Sequence, residues 1–446
     1  MTATASTPSP GAAAAVPLPQ SAAPWALLLR GIGSMRLAVV IVVLLALLTW
    51  LGTLAQSERS THDVQREYFE SWFVLAELPL SVWGRPLITH ADGSVWPLRI
   101  PLPGAYLLLG LLFVNLIVGG LYRLRWSMRN AGILITHFGI AFLLAAGFVK
   151  MHFSYSGSML LYETPGDGNK LPGRSYEAAR FQSFHDFELA LLIDRGDAIE
   201  ERVVQEQVLW AARDDGSVTL RGDGLPFTVQ VHHWVDHAQP LPKGPNVRTT
   251  MPVVDGAFLR EQTWPAGVQP KSEQEIAGCY VTVIADGQPR IEGILFGMPR
   301  TPSDENRYPF AFTVQGQRYG LDLRHVMYDL PFGLRLDRFQ KLDHPGTISP
   351  RDFRSFVSVL GGAAPQEAQV FMNNPLRKDS FVVYQSGWGP QPRGGPPWYS
   401  GFEIAYNPSD VWPAVGCFVI AIGLLVHFVQ KLVRFLQSST RQAMQA

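Results

Sequence analysis

The chain has 446 residues, of which 47% are hydrophobic and only 17% are charged, whereas soluble domains average about 25% charged residues. This deficit indicates membrane segments. Lys plus Arg and Asp plus Glu number 37 each, and a formal net charge of zero gives no support to nucleic acid as a partner. The two cysteines, Cys279 and Cys417, form no CxxC pair, which excludes a dithiol redox centre, a covalent c-type haem and a Cys-rich zinc site.

Four apolar runs follow an N-terminal tail. Residues 1–24 are almost entirely Ala, Pro, Ser and Thr, a composition that predicts a disordered tail. Each run is near or above the length of about 18 residues that a helix needs to cross a bilayer. We therefore predict transmembrane helices at 37–54, 104–122, 131–149 and 411–429. A signal peptide is the alternative for the first run, but its long apolar core favours a retained anchor.

The basic residues beside these runs predict the orientation of the chain. They cluster before the first run, between the second and third runs, and after the fourth run, at Arg30, Arg36, Arg123, Arg125, Arg129, Lys431, Arg434 and Arg441. All three clusters fall on one side if the helices alternate, and the positive-inside rule makes that side cytoplasmic. The loop at 55–103 and the region at 150–410 are then extracytoplasmic, and 430–446 is a cytoplasmic tail.

The two extracytoplasmic regions have different patterns. In the 55–103 loop, Phe69, Trp72, Phe73 and Ala76 repeat at helical spacing, which predicts a helix that lies in the membrane interface or packs on the outer domain. The 150–410 region contains short alternating segments, such as Phe227–Val231, separated by Gly, Pro, Asp and Asn. It therefore predicts a large, mainly antiparallel β domain, either a sandwich or a barrel.

His137 is the most informative polar residue of the third apolar run. An ionisable residue inside a membrane helix is costly and usually faces a cavity, a partner or a ligand. Neutral imidazole is a common ligand of haem iron, so His137 is a candidate for haem and metal binding. A structural histidine bonded to a neighbouring helix is the alternative. His427, near the end of the fourth run, would lie at a similar depth, so the two residues could share a bis-histidine site. Alternatively, His427 lies at the headgroup boundary.

The histidines of the β region are weaker candidates for a functional site. His232, His233 and His237 are close in sequence, but neighbouring residues of a strand point to opposite sides, so we expect His232 and His233 not to share a site. His325 and His344 are expected to be structural. No GxSxG, HExxH or phosphate-loop motif is present, so a hydrolase or nucleotide enzyme has no support.

Several blocks along the chain resemble the ResB (CcsB) family of cytochrome c assembly proteins. They are Ser34-Met-Arg, Leu51-Gly-Thr-Leu-Ala-Gln56, the histidine-bearing Gly132-Ile-Leu-Ile-Thr-His-Phe-Gly139, Gly157-Ser-Met-Leu-Leu-Tyr-Glu163, Leu330-Pro-Phe-Gly-Leu-Arg-Leu-Asp-Arg-Phe339, Pro345-Gly-Thr347, Asn374-Pro-Leu376, Tyr384-Gln385 and Asn407-Pro408. No single block is specific for the family, but the order of the blocks together with the predicted topology is specific for it.

The resemblance implies a role in System II cytochrome c biogenesis, in the bacterial inner membrane with the large domain in the periplasm. With a ResC/CcsA-type membrane partner, such a protein carries haem b outward and presents it to apocytochrome c. His137 matches the family's transmembrane haem histidine, and the resemblance implies that the partner supplies the other axial ligand. The chain is then not an enzyme alone but a subunit of a cytochrome c haem lyase complex.

Two other interpretations stay open. The chain could be a scaffold or chaperone subunit of the same assembly complex that never touches haem. It could also be a membrane electron carrier that holds haem b between His137 and His427.

Overall fold

The computed structural model of the chain describes residues 24–56, 59–79, 81–82, 85–86, 97–171, 174–262, 276–298, 309–390 and 398–445. The chain divides into two compact units. The first combines Met1–Leu47, Tyr106–Leu144 and Ala414–Ala446, and the second combines Leu48–Ala105 and Ala145–Pro413. The helices are α1 Pro24–Ile32, α2 Met35–Ala55, α3 Thr61–Val64, α4 Ala105–Leu116, α5 Ala131–Phe153, α6 Glu206–Leu209 and α7 Trp412–Gln445.

Four helices of the described residues are long and apolar enough to cross a membrane, as the sequence predicts. These spans are Met35–Ala55, Ala105–Tyr122, Met128–Phe153 and Trp412–Gln442. The second includes a π-helical turn, Ile117–Tyr122, and the third begins with a 3-10 turn, Met128–Asn130. Large apolar side chains remain exposed on these helices, for example Phe418 at 71%, as expected for surfaces that face lipid.

The chain ends differ from the sequence expectation. The tail predicted at 1–24 lies outside the described residues except for Pro24, which begins α1. This nine-residue helix was not predicted from the sequence. The last helix continues through the basic segment to Gln445, far beyond the predicted boundary at 429. Two side chains of this extension donate to carbonyl oxygens at the start of the third span: Gln430 Nε2 to Met128 at 2.8 Å and Arg434 Nη2 to Arg129 at 3.0 Å.

The second unit is dominated by antiparallel strands, as predicted. The strands are β1 Phe73–Pro79, β2 Ser81–Val82, β3 Arg85–Pro86, β4 Pro97–Pro103, β5 Tyr155–Tyr162, β6 Glu177–Asp194, β7 Ile199–Gln205, β8 Ser217–Arg221, β9 Phe227–Val235, β10 Ala238–Pro242, β11 Ala257–Glu261, β12 Gly278–Ala285, β13 Ile291–Phe296, β14 Phe310–Val314, β15 Gln317–Asp343, β16 Pro350–Leu360, β17 Gln366–Phe371, β18 Leu376–Lys378, β19 Phe381–Gly389 and β20 Tyr399–Tyr406. Among these, a ten-stranded sheet follows the order β17-β16-β15-β6-β5-β20-β19-β18, with β14 on β15 and β7 on β6, and a four-stranded sheet follows β13-β12-β9-β8.

The long strand β15 contributes to two hydrophobic cores. Its first half adds Leu321 and Leu323 to a core that the four-stranded sheet completes with residues such as Val231 and Val281. Its second half buries Leu330, Phe332, Leu334 and Leu336 in a core with β5, β16, β19 and β20. The alternation at positions 330, 332, 334 and 336 is the period of two that a strand requires.

The helix predicted at Phe69–Ala76 is wrong. A π-helical turn ends at Phe69, and β1 begins at Phe73 and pairs in antiparallel register with β4. Val74 and Ala76 are buried, whereas Phe73 is 74% exposed and Leu75 is 47% exposed. The apolar residues therefore follow the period of a strand. The hydrogen-bonding partner of this segment is β4, which is distant in sequence. The helical spacing of the apolar residues was therefore a coincidence, and pairing with β4 determines the conformation.

Candidate functional site

His137 is the seventh of the 23 residues of α5, and its ring is held by its own helix. Its Nδ1 lies 2.8 Å from the carbonyl oxygen of Ile133, one turn earlier. A carbonyl oxygen only accepts, so Nδ1 carries the proton, and Nε2 of the neutral ring keeps its lone pair. Metal-binding histidines commonly donate their other ring N–H to a backbone carbonyl in this way. The local geometry therefore leaves one ring nitrogen suited to binding iron.

The second membrane span makes room for this imidazole. A Cβ at Gly120 would lie 2.9 Å from Cγ and 3.1 Å from Nε2 of His137, and closer still to Cδ2. Only glycine therefore lets the ring approach the backbone here. Gly120 belongs to the π-helical turn Ile117–Tyr122, and such turns are frequent at functional sites. Gly119, its neighbour, packs in the same way against Gly33.

A different face of α5 packs against α7. A Cβ at Gly132 would lie 2.7 Å from the Gly423 oxygen and 2.7 Å from the His427 Cα, and one at Gly139 would lie 3.2 Å from the Gly416 oxygen. The glycines recur seven residues apart on each helix, and small residues in this pattern let membrane helices approach closely. His427 thus contributes backbone to this contact.

The two candidate histidines therefore have different neighbours. At 100° per residue, His137 is turned roughly 140–160° around α5 from Gly132 and Gly139. Its ring contacts the second span, whereas the described His427 contacts involve α7, Gly132 and the adjacent Phe428 ring. The described contacts do not bring the two imidazoles together, and the shared bis-histidine site stays a prediction.

Histidines of the β domain have varied surroundings. His325 is buried and lies 4.3 Å from the Phe187 ring, in line with a structural role, and His344 lies exposed in a turn. The expectation that His232 and His233 face opposite sides of the strand is wrong, because their Nδ1 atoms lie 2.8 Å apart. The register of β9 with β12 shifts at this point and His233 takes a positive φ of 51°, and such a bulge re-aims side chains. In the described part of the chain, no group of three or more His, Cys, Asp or Glu side chains could hold a metal ion.

Sequence reasoning missed a charged cleft of about 560 Å³ in the second unit, partly lined by His62, Arg66, His185, Trp210 and Arg213. The rings of His62 and His185 stack with centroids 3.9 Å apart and planes 12° apart. Burial lowers the pKa of His62, and burial together with the neighbouring His62 lowers the pKa of His185 to about 4. Both rings are therefore neutral at pH 7. These residues are far apart in sequence, so no local motif could have revealed the cleft.

The guanidinium groups of the cleft gather around one aromatic ring. Arg213 lies 4.6 Å and Arg66 lies 5.6 Å from the centre of the Trp210 ring, both within the range of a cation–π interaction. Arg66 follows α3, whereas Trp210 and Arg213 follow α6, so the contact attaches the loop segment after the first span to the β domain.

Residues 311–395 match the model of the ResB-like family. The matched range contains the Leu330–Phe339, Asn374–Leu376 and Tyr384–Gln385 blocks, so the predicted resemblance to this family is confirmed there. The ResB-like family is associated with cytochrome c biogenesis. The matched range does not include His137. A comparison with curated proteins finds no match.

Proposed function

We propose that this chain is a subunit of a System II complex that carries haem b across the bacterial inner membrane and presents it to apocytochrome c. A ResC/CcsA-type membrane protein is the partner. One observation carries the proposal: His137 lies in a membrane helix with its Nδ1 bonded to Ile133 and its Nε2 lone pair left for a ligand. The family match at 311–395 supports the assembly role.

Haem is the cargo in this proposal, and the chemistry of the His137 site suits it. The haem macrocycle is largely apolar and the haem iron commonly takes an axial imidazole, so a half-buried histidine on an apolar helix fits both parts of haem. Gly120 and Ile133 fix the ring from two sides, which reduces the loss of side-chain freedom on binding. The partner would supply the second axial ligand.

The cysteines of this chain are poorly suited to the thiol chemistry of cytochrome c maturation. Burial raises the pKa of Cys279 to about 12, and this thiol is fully enclosed in the first core of the β domain. Cys417 belongs to the fourth membrane helix. The proposal therefore assigns reduction of the apocytochrome thiols to other proteins, and thioether formation to the complex with the partner.

The periplasmic location of the β domain is part of the proposal. The arginines of the short link between the second and third spans, together with Arg30, Arg36 and Lys431, support an orientation with these ends inside. The chain returns from the third span into β5 at Tyr155 and enters the fourth span after β20. The domain would then be available on the outer side to guide the partner or the apocytochrome.

The extensive β domain favours the alternative of a scaffold subunit, which would hold partners without touching haem. The bis-histidine electron carrier is less well supported, because the His137 ring contacts Gly120 whereas His427 packs its backbone on Gly132.

Deletion of the gene tests the proposed role. We expect covalently attached c-type haem, detected on denaturing gels by peroxidase stain, to disappear while b-type cytochromes persist, and a plasmid copy to restore it. Normal c-type haem in the deletion strain would contradict the proposal. Restoration by a His137→Ala copy at wild-type level would favour the scaffold.

A further inference from the structure

The charged residues of the helical unit are all basic. The segments of this unit, residues 1–47, 106–144 and 414–446, contain no Asp or Glu, although the whole chain balances 37 basic against 37 acidic residues. The basic residues of the unit are Arg30, Arg36, Arg123, Arg125, Arg129, Lys431, Arg434 and Arg441. They flank the same end of the four spans, and a basic surface of this kind beside membrane helices attracts anionic groups.

The break between α1 and α2 is held by the second span. α1 ends at Ile32, shortly before α2 begins. Asn115, which is buried in the second span, donates from Nδ2 to the carbonyl oxygens of Ile32 and Ser34. A Cβ at Gly33 would lie 2.9 Å from the backbone nitrogen of Gly119, so the chain passes close to the second span here. These contacts fix the point at which α1 separates from the first span.

Arg123, at the end of the second span, contacts the same break. Its Nη1 donates to the carbonyl oxygens of Gly33 at 3.2 Å and of Arg30 at 3.4 Å. A guanidinium has five N–H donors, so the Nε and Nη2 side of Arg123 keeps donors for another acceptor. The Arg30 and Arg123 side chains are exposed, and among the described residues neither forms an ion pair. The break therefore places the Arg123 guanidinium beside Arg30 without a compensating carboxylate.

The apolar face of α1 is suited to lipid. Trp25, Leu28, Leu29 and Ile32 repeat at i, i+3, i+4 and i+7, which places them on one face of the helix. Trp25 is 64% exposed and Leu28 is 63% exposed. Tryptophan is enriched at membrane–water interfaces, and helices with an apolar face and basic residues lie in that interface. Since α1 directly precedes the first span, the bilayer surface is the apolar phase within its reach.

We propose that the break between α1 and α2 binds the phosphate group of an anionic phospholipid through Arg30 and Arg123, while the apolar face of α1 lies in the membrane interface beside it. Arginine matches phosphate with two parallel N–H bonds and keeps its charge at any physiological pH. A zwitterionic phospholipid has the same phosphate but no net charge, so it binds less tightly. This site is separate from the His137 site and does not depend on the proposed function.

The test is native mass spectrometry of the full chain in detergent, titrated with phosphatidylglycerol. Arg30→Gln keeps the backbone carbonyl that Arg123 contacts, so it removes a cation without removing that bond. It should weaken phosphatidylglycerol binding ~5-fold, and Arg30→Gln with Arg123→Gln should weaken it ~25-fold, as about 1 kcal/mol per basic residue at a lipid surface predicts. Lys150→Gln, which removes an exposed cation near the opposite end of α5, is the matched control and should bind as the wild type does.

Competing ligands separate the possible sources of the phosphate. Excess inorganic phosphate should leave the lipid bound, because the free ion makes no contact with the apolar face of α1. Displacement of phosphatidylglycerol by inorganic phosphate, equal affinity for phosphatidylcholine, or wild-type affinity in Arg30→Gln would overturn the proposal. Thermal unfolding checks the fold of each variant, and if the double variant is unfolded, Arg30→Gln alone decides.

Discussion

The imidazole of His137 lies against the backbone of Gly120, in the space that any larger residue at position 120 would fill with its Cβ. The same ring donates through Nδ1 to Ile133. One contact sets how deeply the ring lies between two membrane spans, and the other sets which nitrogen keeps its lone pair. The relationship makes Gly120 a positioning residue for His137.

Gly120→Ala should therefore impair haem binding without removing the ligand. The added methyl would displace the imidazole, and we expect haem content in the complex with the partner to fall ~10-fold, the lower end of the range that changing a group that orients a metal ligand typically causes. Gly110→Ala is the matched control on the same span, because nothing lies within 4 Å of a Cβ there. Equal haem content in the two variants would show that ring position is unimportant.

Gly132→Ala should destabilise the packing of α5 on α7. Its methyl would lie 2.7 Å from both the Gly423 oxygen and the His427 Cα, so the two backbones must separate. Overpacking of this kind costs about 1–3 kcal/mol. Unfolding in mixed detergent should show the loss, whereas Gly147→Ala, which meets open space, should not. If Gly132→Ala is as stable as Gly147→Ala, the close glycine contact is not a source of stability.

Arg324 is a buried cation of the β domain and should be essential for its stability. It pairs with Glu188 at 2.9 Å and with Glu201 at 3.0 Å, and the side chains of Arg324 and Glu188 are only 5% and 7% exposed. Arg324→Met would leave the Glu188 carboxylate buried without its cation, which typically costs about 3–5 kcal/mol. Differential scanning calorimetry should show a large fall in Tm. Arg195→Met breaks the exposed pair with Glu200 and should change Tm little. A similar Tm for both variants would contradict this account.

The stacked pair His62 and His185 should make the β domain less stable in mild acid. The folded pKa of His185 is lowered from 6.5 to about 4, so between these values the unfolded chain binds about one more proton than the folded chain. The stabilisation is present above pH 6.5 and is lost as pH falls towards 4. His62 adds an effect of the same sign, because its pKa is also lowered.

Thermal unfolding at pH 7.5 and pH 5 checks this prediction. The fall in Tm on acidification should be smaller in His185→Gln than in the wild type, while His344→Gln should behave as the wild type. Burial raises the pKa of Glu206 in the same cleft, so this carboxyl has the opposite effect on the pH dependence of stability. Glu206 is present in all three proteins, so its effect is common to them. An equal pH dependence in His185→Gln and the wild type would show that the pair does not titrate on unfolding.

Membrane spans were predictable from the sequence because lipid imposes a length and an apolar composition on each one. The β character of 150–410 was predictable because segments such as Phe227–Val231, whose Phe227, Val229 and Val231 are buried, show a period of two locally. The Phe69–Ala76 segment was mispredicted because its partner β4 is distant in the chain. Apolar spacing alone does not distinguish a helix from a paired strand over eight residues.

The candidate site was predictable only in part. His137 was identifiable because a histidine inside an apolar run is unusual. Its contact with Gly120 was not, because helix rotation depends on packing between spans. The His232–His233 contact was missed because a bulge reverses the alternation that neighbouring strand residues normally follow. The stacking of His62 on His185 joins distant segments and has no sequence signature.

The central claim is that His137 binds haem, and the most direct measurement is the haem spectrum of the purified complex with its membrane partner. Wild type, His137→Ala and His152→Ala would be compared. His152 is the matched control because it lies on the same helix and its Nδ1 bonds to the Phe148 carbonyl at 3.1 Å, also one turn earlier. We predict that haem absorbance per protein falls at least ~10-fold in His137→Ala and stays at the wild-type level in His152→Ala. Equal haem absorbance and an unchanged spectrum in all three proteins would contradict the account and leave His137 a structural residue.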